Sequence, residues 1–264
     1  MLKKLMRYDL QWIINKVLSY YAAATLLTAV FARVFHTFAQ QATIWLILDK
    51  FFTGAFISCA IAIQINALMR SLVCFRRTLY GDPSYLTHTL PIKRGAVFDA
   101  KTLSGVVSLV FTLLSAALGI GIVELTQREK WEMLLEMLRA PGAKSTLLLI
   151  CAILVLELLT LYLAAVFGFV LGHRRERGRI PFSILFSAGV YMLGSGVILG
   201  LLFAFSFLKP ELHALFTQVV STEELFSLPS MRLMLAVTCI LYLLADVGLY
   251  FAARRLFCKG VNVE

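Results

Sequence analysis

The chain has 264 residues, of which 60% are hydrophobic and only 15% charged, and it carries a formal net charge of +10. A mean hydropathy of +0.84 exceeds what a soluble core of this size needs, so composition excludes a soluble enzyme or nucleic-acid-binding domain. The basic excess therefore has to be explained on a membrane protein.

In chain order, Leu2, Leu5, Met6, Leu10, Ile13 and Ile14 recur at helical spacing, with Lys3, Lys4, Arg7 and Gln11 on the other faces. This predicts an amphipathic helix over residues 1–16 that lies in the headgroup region and turns into the membrane near Lys16. The same residues also fit a simple charged segment that orients the first span. They are too polar for the apolar core of a cleavable signal peptide.

Six apolar stretches follow, at about Val17–His36, Ile44–Met69, Leu103–Val123, Ser145–Gly172, Ile180–Leu208 and Leu233–Ala253. About 20 residues at 1.5 Å rise cross the roughly 30 Å hydrocarbon core, so each is long enough to span. The expected fold is an all-α, six-span bundle, organised over residues 1–264 as a single transmembrane domain.

The connections carry their own punctuation. Residues 70–102 form a long basic loop in which Asp82 can cap a helix opening at Pro83 and ending before Leu90-Pro91. From Lys93 the pattern turns helical again. After the third span, Thr126 and Glu129 make a capping box, Trp131, Leu134, Leu135 and Leu138 an apolar stripe, and Pro141-Gly142 a stop. Between the fifth and sixth spans, Pro210, Ser221 with Glu224, and Pro229 predict two short helices.

Orientation follows from the basic residues. Seventeen of the 25 Lys and Arg fall in the N-terminal segment, the 70–102 loop, the turn after the fourth span and the tail, against five acids there. By the positive-inside rule that face is cytoplasmic, and both termini with it. The predicted location is the cell membrane, with anionic lipid headgroups as neighbours and no nucleic acid as partner. The five cysteines (Cys59, Cys74, Cys151, Cys239, Cys258) form no CxxC pair and read as small apolar residues rather than as disulfides or metal ligands.

Polar groups inside the spans are the candidate contacts for cargo or protons. Glu157 sits mid-way along the fourth span, Asp246 in the inner half of the sixth, and Gln64 and Asn66 near the inner end of the second. An intramembrane carboxyl is costly and faces the bundle or a wet cavity. The plainer alternative is a helix-to-helix tie, with Arg254 and Arg255 near enough along the chain to neutralise the surroundings of Asp246. Gly168-x-x-x-Gly172 and Gly196-x-x-x-Gly200 permit close helix approach.

Enzymatic signatures are missing from the sequence. There is no G-x-x-x-x-G-K-[ST]; Gly142-Ala-Lys144-Ser145 lacks the glycine before the lysine. His36, His88, His173 and His213 fall in loops or at span ends, and no HExxH occurs. Glu223-Glu224 has no companion histidines in nearby spans. An intramembrane enzyme, or a membrane scaffold or sensor component, remains the alternative class.

The segment from Phe75 to Arg94, with Tyr85-Leu-Thr…Leu90-Pro91 at its centre and Asp99-Ala-Lys101 after it, resembles the first cytoplasmic loop of bacterial type-2 ABC exporter permeases. The opening Leu2-Lys-Lys-Leu-Met-Arg-Tyr-Asp9-Leu is similar to their first helix, and the six-span layout extends the likeness to the full chain. Lys93 stands where a small hydroxyl residue is common, and Pro83 where an acid often sits. The resemblance implies a G-subfamily-like exporter bundle that forms the substrate path and binds no cofactor itself. It implies ATP and Mg on a separate ABC ATPase subunit, two copies of that subunit, and a second permease chain, identical or related. The coupling helix would be Asp82–Thr89, with Asp82, Pro83, Tyr85, Leu86, Thr87 and His88 as contact residues. Arg174 and Arg175, in the turn His173–Arg179, would be the smaller second contact. No catalytic or metal-binding residue is implied.

Overall fold

The structure, a computed structural model, describes residues 2–14, 16–39, 42–81, 93–124, 142–174, 179–208 and 229–259. All regular structure among them is helical: α1 (Leu2–Ile13), α2 (Lys16–Phe38), α3 (Thr43–Tyr80), α4 (Arg94–Glu124), α5 (Ala143–Gly172), α6 (Arg179–Leu208) and α7 (Pro229–Cys258). The six helices from α2 to α7 are each long and apolar enough to cross a membrane. The chain is a multi-pass helical membrane protein by that measure. It forms two compact units, one holding α1–α4 and the other α5–α7.

The helices outrun the apolar stretches that predict them. α3 has 38 residues, about 57 Å at 1.5 Å rise, and continues eleven residues past Met69, where the second apolar stretch ends. Charges at Arg70, Arg76 and Arg77 mark where the helix leaves apolar surroundings, but they do not stop it. Ser71, Leu72, Cys74, Phe75 and Leu79 keep one face buried as far as the last turn. α4 likewise starts at Arg94 rather than Leu103, because Val97, Phe98, Ala100 and Lys101 are buried. What the sequence presents as one long basic loop is therefore largely two helical arms, with residues 81–93 between them.

In the first unit α2 packs along α3, and α4 packs against α1, α2 and α3. The α3–α4 hairpin is antiparallel, with Phe75 against Phe98 at 5.9 Å between ring centres, Ser71 opposite Ser108 and Gln64 opposite Thr112. Gly119 closes the series, because a Cβ there would overlap the Phe56 ring. At the far end of α2 and α3, Phe35 stacks between Phe52 at 4.8 Å and Trp45 at 5.9 Å. Beside this cluster His36 meets Asp49 at 3.3 Å.

In the second unit α5 lies against both α6 and α7. Gly168 and Gly172 let α6 approach so closely that a Cβ at either would overlap Ser187 or Ser183. Ser187 uses the gap to donate to the Ala165 carbonyl at 3.2 Å. The other predicted pair differs: nothing lies within 4 Å of a Cβ built at Gly196 or Gly200. Gly142 precedes α5 with φ of 91°, a left-handed conformation that suits glycine, and the Arg232 side chain occupies the space a Cβ would need.

Candidate functional site

The most distinctive chemistry lies at the base of the α3–α4 hairpin, in the first unit. On α1, Asp9 sits at i+4 from Leu5 and i−4 from Ile13, inside the apolar stripe rather than on the charged face. On α4, Lys101, Ser104, Gly105, Ser108, Thr112, Ser115 and Gly119 recur at steps of three and four, and all are buried. α1 lies across the hairpin, so these two stripes meet. Lys101 Nζ donates to Asp9 Oδ1 at 2.5 Å, joining residues 92 apart in sequence. Asp9 is 4% exposed and Lys101 5%. The Cys74 thiol of α3 donates to the same oxygen at 3.8 Å, and Asp9 Oδ2 has no partner among the described residues.

Burial pushes the Asp9 carboxyl above its usual range, while the Lys101 ammonium and the Cys74 thiol pull it part of the way back. Desolvation is the larger influence. A buried pair of this kind contributes little net stability over an apolar pair, yet removing one partner is costly. Its clearest effect is to fix the register of α1 on the hairpin.

A second tie lies one turn away. Arg70 donates to the Trp12 carbonyl at 3.3 Å, and its guanidinium lies 5.5 Å from the centre of the Trp12 ring, a cation–π distance. Further along the hairpin the polar groups become neutral. Ser71 and Ser108 share a hydrogen bond at 2.8 Å, and Thr112 donates to Gln64 Oε1 at 3.0 Å. A cavity of about 290 Å³ opens beside the ion pair, lined by Tyr8, Asp9, Trp12, Cys74, Arg77 and Thr78.

In the second unit the polar groups cross three helices. Thr160 of α5 donates to Asp246 Oδ1 of α7 at 2.7 Å. Asp246 is 4% exposed, and its Oδ2 has no partner among the described residues. Tyr191 of α6 donates to Glu157 Oε1 at 3.4 Å. The group that meets Asp246 is thus a hydroxyl from a neighbouring helix. Arg254 and Arg255 lie eight and nine residues further along α7, about 12 Å away by helical rise.

The other predicted residues are distributed as follows. Gln64 binds Thr112, whereas Asn66 donates back to Ala62 of its own helix at 2.9 Å and makes no interhelical bond through that group. Arg174 donates to the Leu256 carbonyl at 2.7 Å, tying the turn after α5 to the end of α7, and His173 beside it is buried. Asp82, Pro83, Tyr85, Leu86, Thr87, His88 and Arg175 lie outside the described residues, as do the helices predicted after the third and fifth spans. Among the described residues no three His, Cys, Asp or Glu side chains are placed to hold a metal.

Asp9, Lys101 and Cys74 are absent from the residues that sequence patterning singles out as a site. Two signals mark them: a carboxylate centred in the apolar stripe of an amphipathic helix, and a lysine in register with four buried hydroxyl residues. No known protein family, curated protein or solved structure matches the chain.

Proposed function

We propose that this chain is the membrane-spanning permease subunit of an ABC exporter, working with a separate ATPase. The observation that carries the reading is the α3–α4 hairpin. Eleven residues of α3 beyond Met69 and nine of α4 before Leu103 stay helical, so the hairpin reaches about 13–16 Å past its apolar portion. Its end carries Arg76, Arg77, Lys93 and Arg94, and the chain between the two arms contains the Tyr85-Leu-Thr…Leu90-Pro91 pattern. A helical arm that continues past its apolar portion suits force transfer from a soluble partner.

On this reading the basic ends face the cytoplasm with both termini, and residues 82–89 seat in a groove on the ATPase. ATP and Mg bind there and not on this chain, which is not itself an enzyme. Two permease chains, identical or related, and two ATPase subunits complete the transporter. Co-expression with a candidate ABC ATPase tests the proposal. The two should co-purify, and ATP hydrolysis in reconstituted vesicles should depend on this chain. An ATPase that neither binds the chain nor changes rate in its presence would overturn the assignment.

A further inference from the structure

Asp246 lies within an apolar helix long enough to cross a membrane, is 4% exposed and belongs to none of the ion pairs among the described residues. Its Oδ1 meets one hydroxyl, Thr160 Oγ1, at 2.7 Å. Its Oδ2 has no donor among the described residues and is closed off from anything the size of a water molecule. An ionised carboxylate gives up its hydration on burial and needs several donors or a cation in exchange. One shared hydroxyl falls short of that.

The groups around Asp246 do not make up the difference. The helix packed most closely on α7 is α5, which brings Thr160 and, three residues before it, the half-buried Glu157. From α6 comes Tyr191, bonded to Glu157. On α7 itself Tyr242 stands one turn earlier, with Glu157, Tyr191 and Asp246 as its electrostatic neighbours. Each of these groups is neutral or an acid. The nearest basic side chains along α7, Arg254 and Arg255, are two turns further on. Because Oδ2 is closed off, a metal ion or an ammonium has no room beside it. A proton needs none.

We infer that Asp246 is a proton-binding site on the seam between α5 and α7, exchanging its proton with water between pH about 5 and about 9. With the proton bound, the Asp246 Oδ1–H donates to Thr160 Oγ1, and the Thr160 hydrogen turns to the Leu156 carbonyl at 3.0 Å. With the proton released to water, the Thr160 hydrogen swings back to Oδ1, and the Leu156 carbonyl keeps only its helical bond. Both states use the same heavy-atom contacts. Only the second leaves a net charge between the helices.

The test uses the full purified chain in detergent, melted across that pH range beside Asp246→Asn, which keeps the shape and a donor toward Thr160 but cannot titrate. A carboxyl that holds its proton in the fold gives stability that is full below the unfolded value, about 3.9, and lost as pH rises through the folded value. The parent should therefore lose several degrees relative to Asp246→Asn as the sample is made alkaline, and the same loss should appear with Glu157→Gln in both chains. A constant difference between parent and variant would overturn the inference, as would a loss that Glu157→Gln abolishes. Infrared spectra of the parent give a second measurement that needs no variant to fold. The carbonyl stretch of a protonated carboxylic acid should fade over the same range, and its persistence or absence throughout would also overturn the inference. Neither readout involves an ATPase, so this site stands or falls separately from the transport proposal.

Discussion

Replacing Lys101 by methionine isolates the ion pair between α1 and α4. The side chain is 5% exposed, and Asp9, the carboxylate it pairs with among the described residues, is 4% exposed. Removing one member of a buried pair costs about 3–5 kcal/mol, because the other charge is left without compensation. For a chain of this size 1 kcal/mol moves the melting temperature by roughly 2–4 °C, so Lys101→Met should lower it by on the order of 10 °C at neutral pH. The pH dependence has a defined sign. Burial already raises the Asp9 carboxyl, and Lys101 is the largest influence holding it down, so the variant raises it further. A raised carboxyl gives stability that is full below the unfolded value, about 3.9, and is lost as pH rises through the folded value. The deficit should therefore shrink as the sample is acidified from neutral towards pH about 4. Combining Asp9→Leu with Lys101→Met should recover most of the loss, since an apolar pair of similar volume needs no compensation. Thermal unfolding followed by fluorescence in detergent reads all three. A melting temperature within about 2 °C of the parent for Lys101→Met, or a deficit that grows on acidification, refutes the reasoning.

Gly168→Ala should cost about 1–3 kcal/mol, because the added methyl overlaps Ser187, whereas Gly196→Ala meets nothing within 4 Å and should be neutral or slightly stabilising; paired melting curves check both. Glu157→Gln keeps the shape of the contact with Tyr191 and should lower stability by about 1 kcal/mol without changing which substrates are moved, a comparison made on purified, reconstituted protein. Tyr85→Ala together with Leu86→Ala should insert normally yet weaken ATPase association by about 2 kcal/mol or more, measured by co-purification, while Lys144→Ala should not.

The spans were legible because hydropathy over some 20 residues is a strong local signal that needs no partner. Helix ends were not legible in the same way. Arg70 reports where the surroundings change from apolar to polar, but the end of α3 at Tyr80 depends on Phe75 and Leu79 finding buried positions, which is a tertiary fact. The same limit applied to the site. Asp9 stands in an apolar stripe and Lys101 in register with hydroxyl residues, but only the meeting of α1 with α4 shows that both are out of water. Asp246 illustrates the reverse. The arginines nearest in sequence suggested compensation along its own helix, yet a residue two turns away cannot compete with Thr160 on the helix packed against it. Gly168 and Gly196 open identical motifs, and only the packing of α5 on α6 distinguishes them.

The two units handle buried and half-buried carboxyls by different chemistry. In the first, each is answered by a cationic or protonatable group: Asp9 by an ammonium, Asp49 by an imidazole. Such pairs hold their helices in one register, because sliding either helix by a turn would strand a charge. In the second, Asp246 is answered by a threonine hydroxyl and Glu157 by a phenol. A hydroxyl supplies a hydrogen bond but no charge. The α1–α4 unit is thus built to keep one arrangement. In the α5–α7 unit the carboxyls are held by neutral hydroxyls instead. That contrast makes Glu157→Gln informative: a fixed tie registers only in melting temperature, whereas a cargo or proton contact alters what the protein moves.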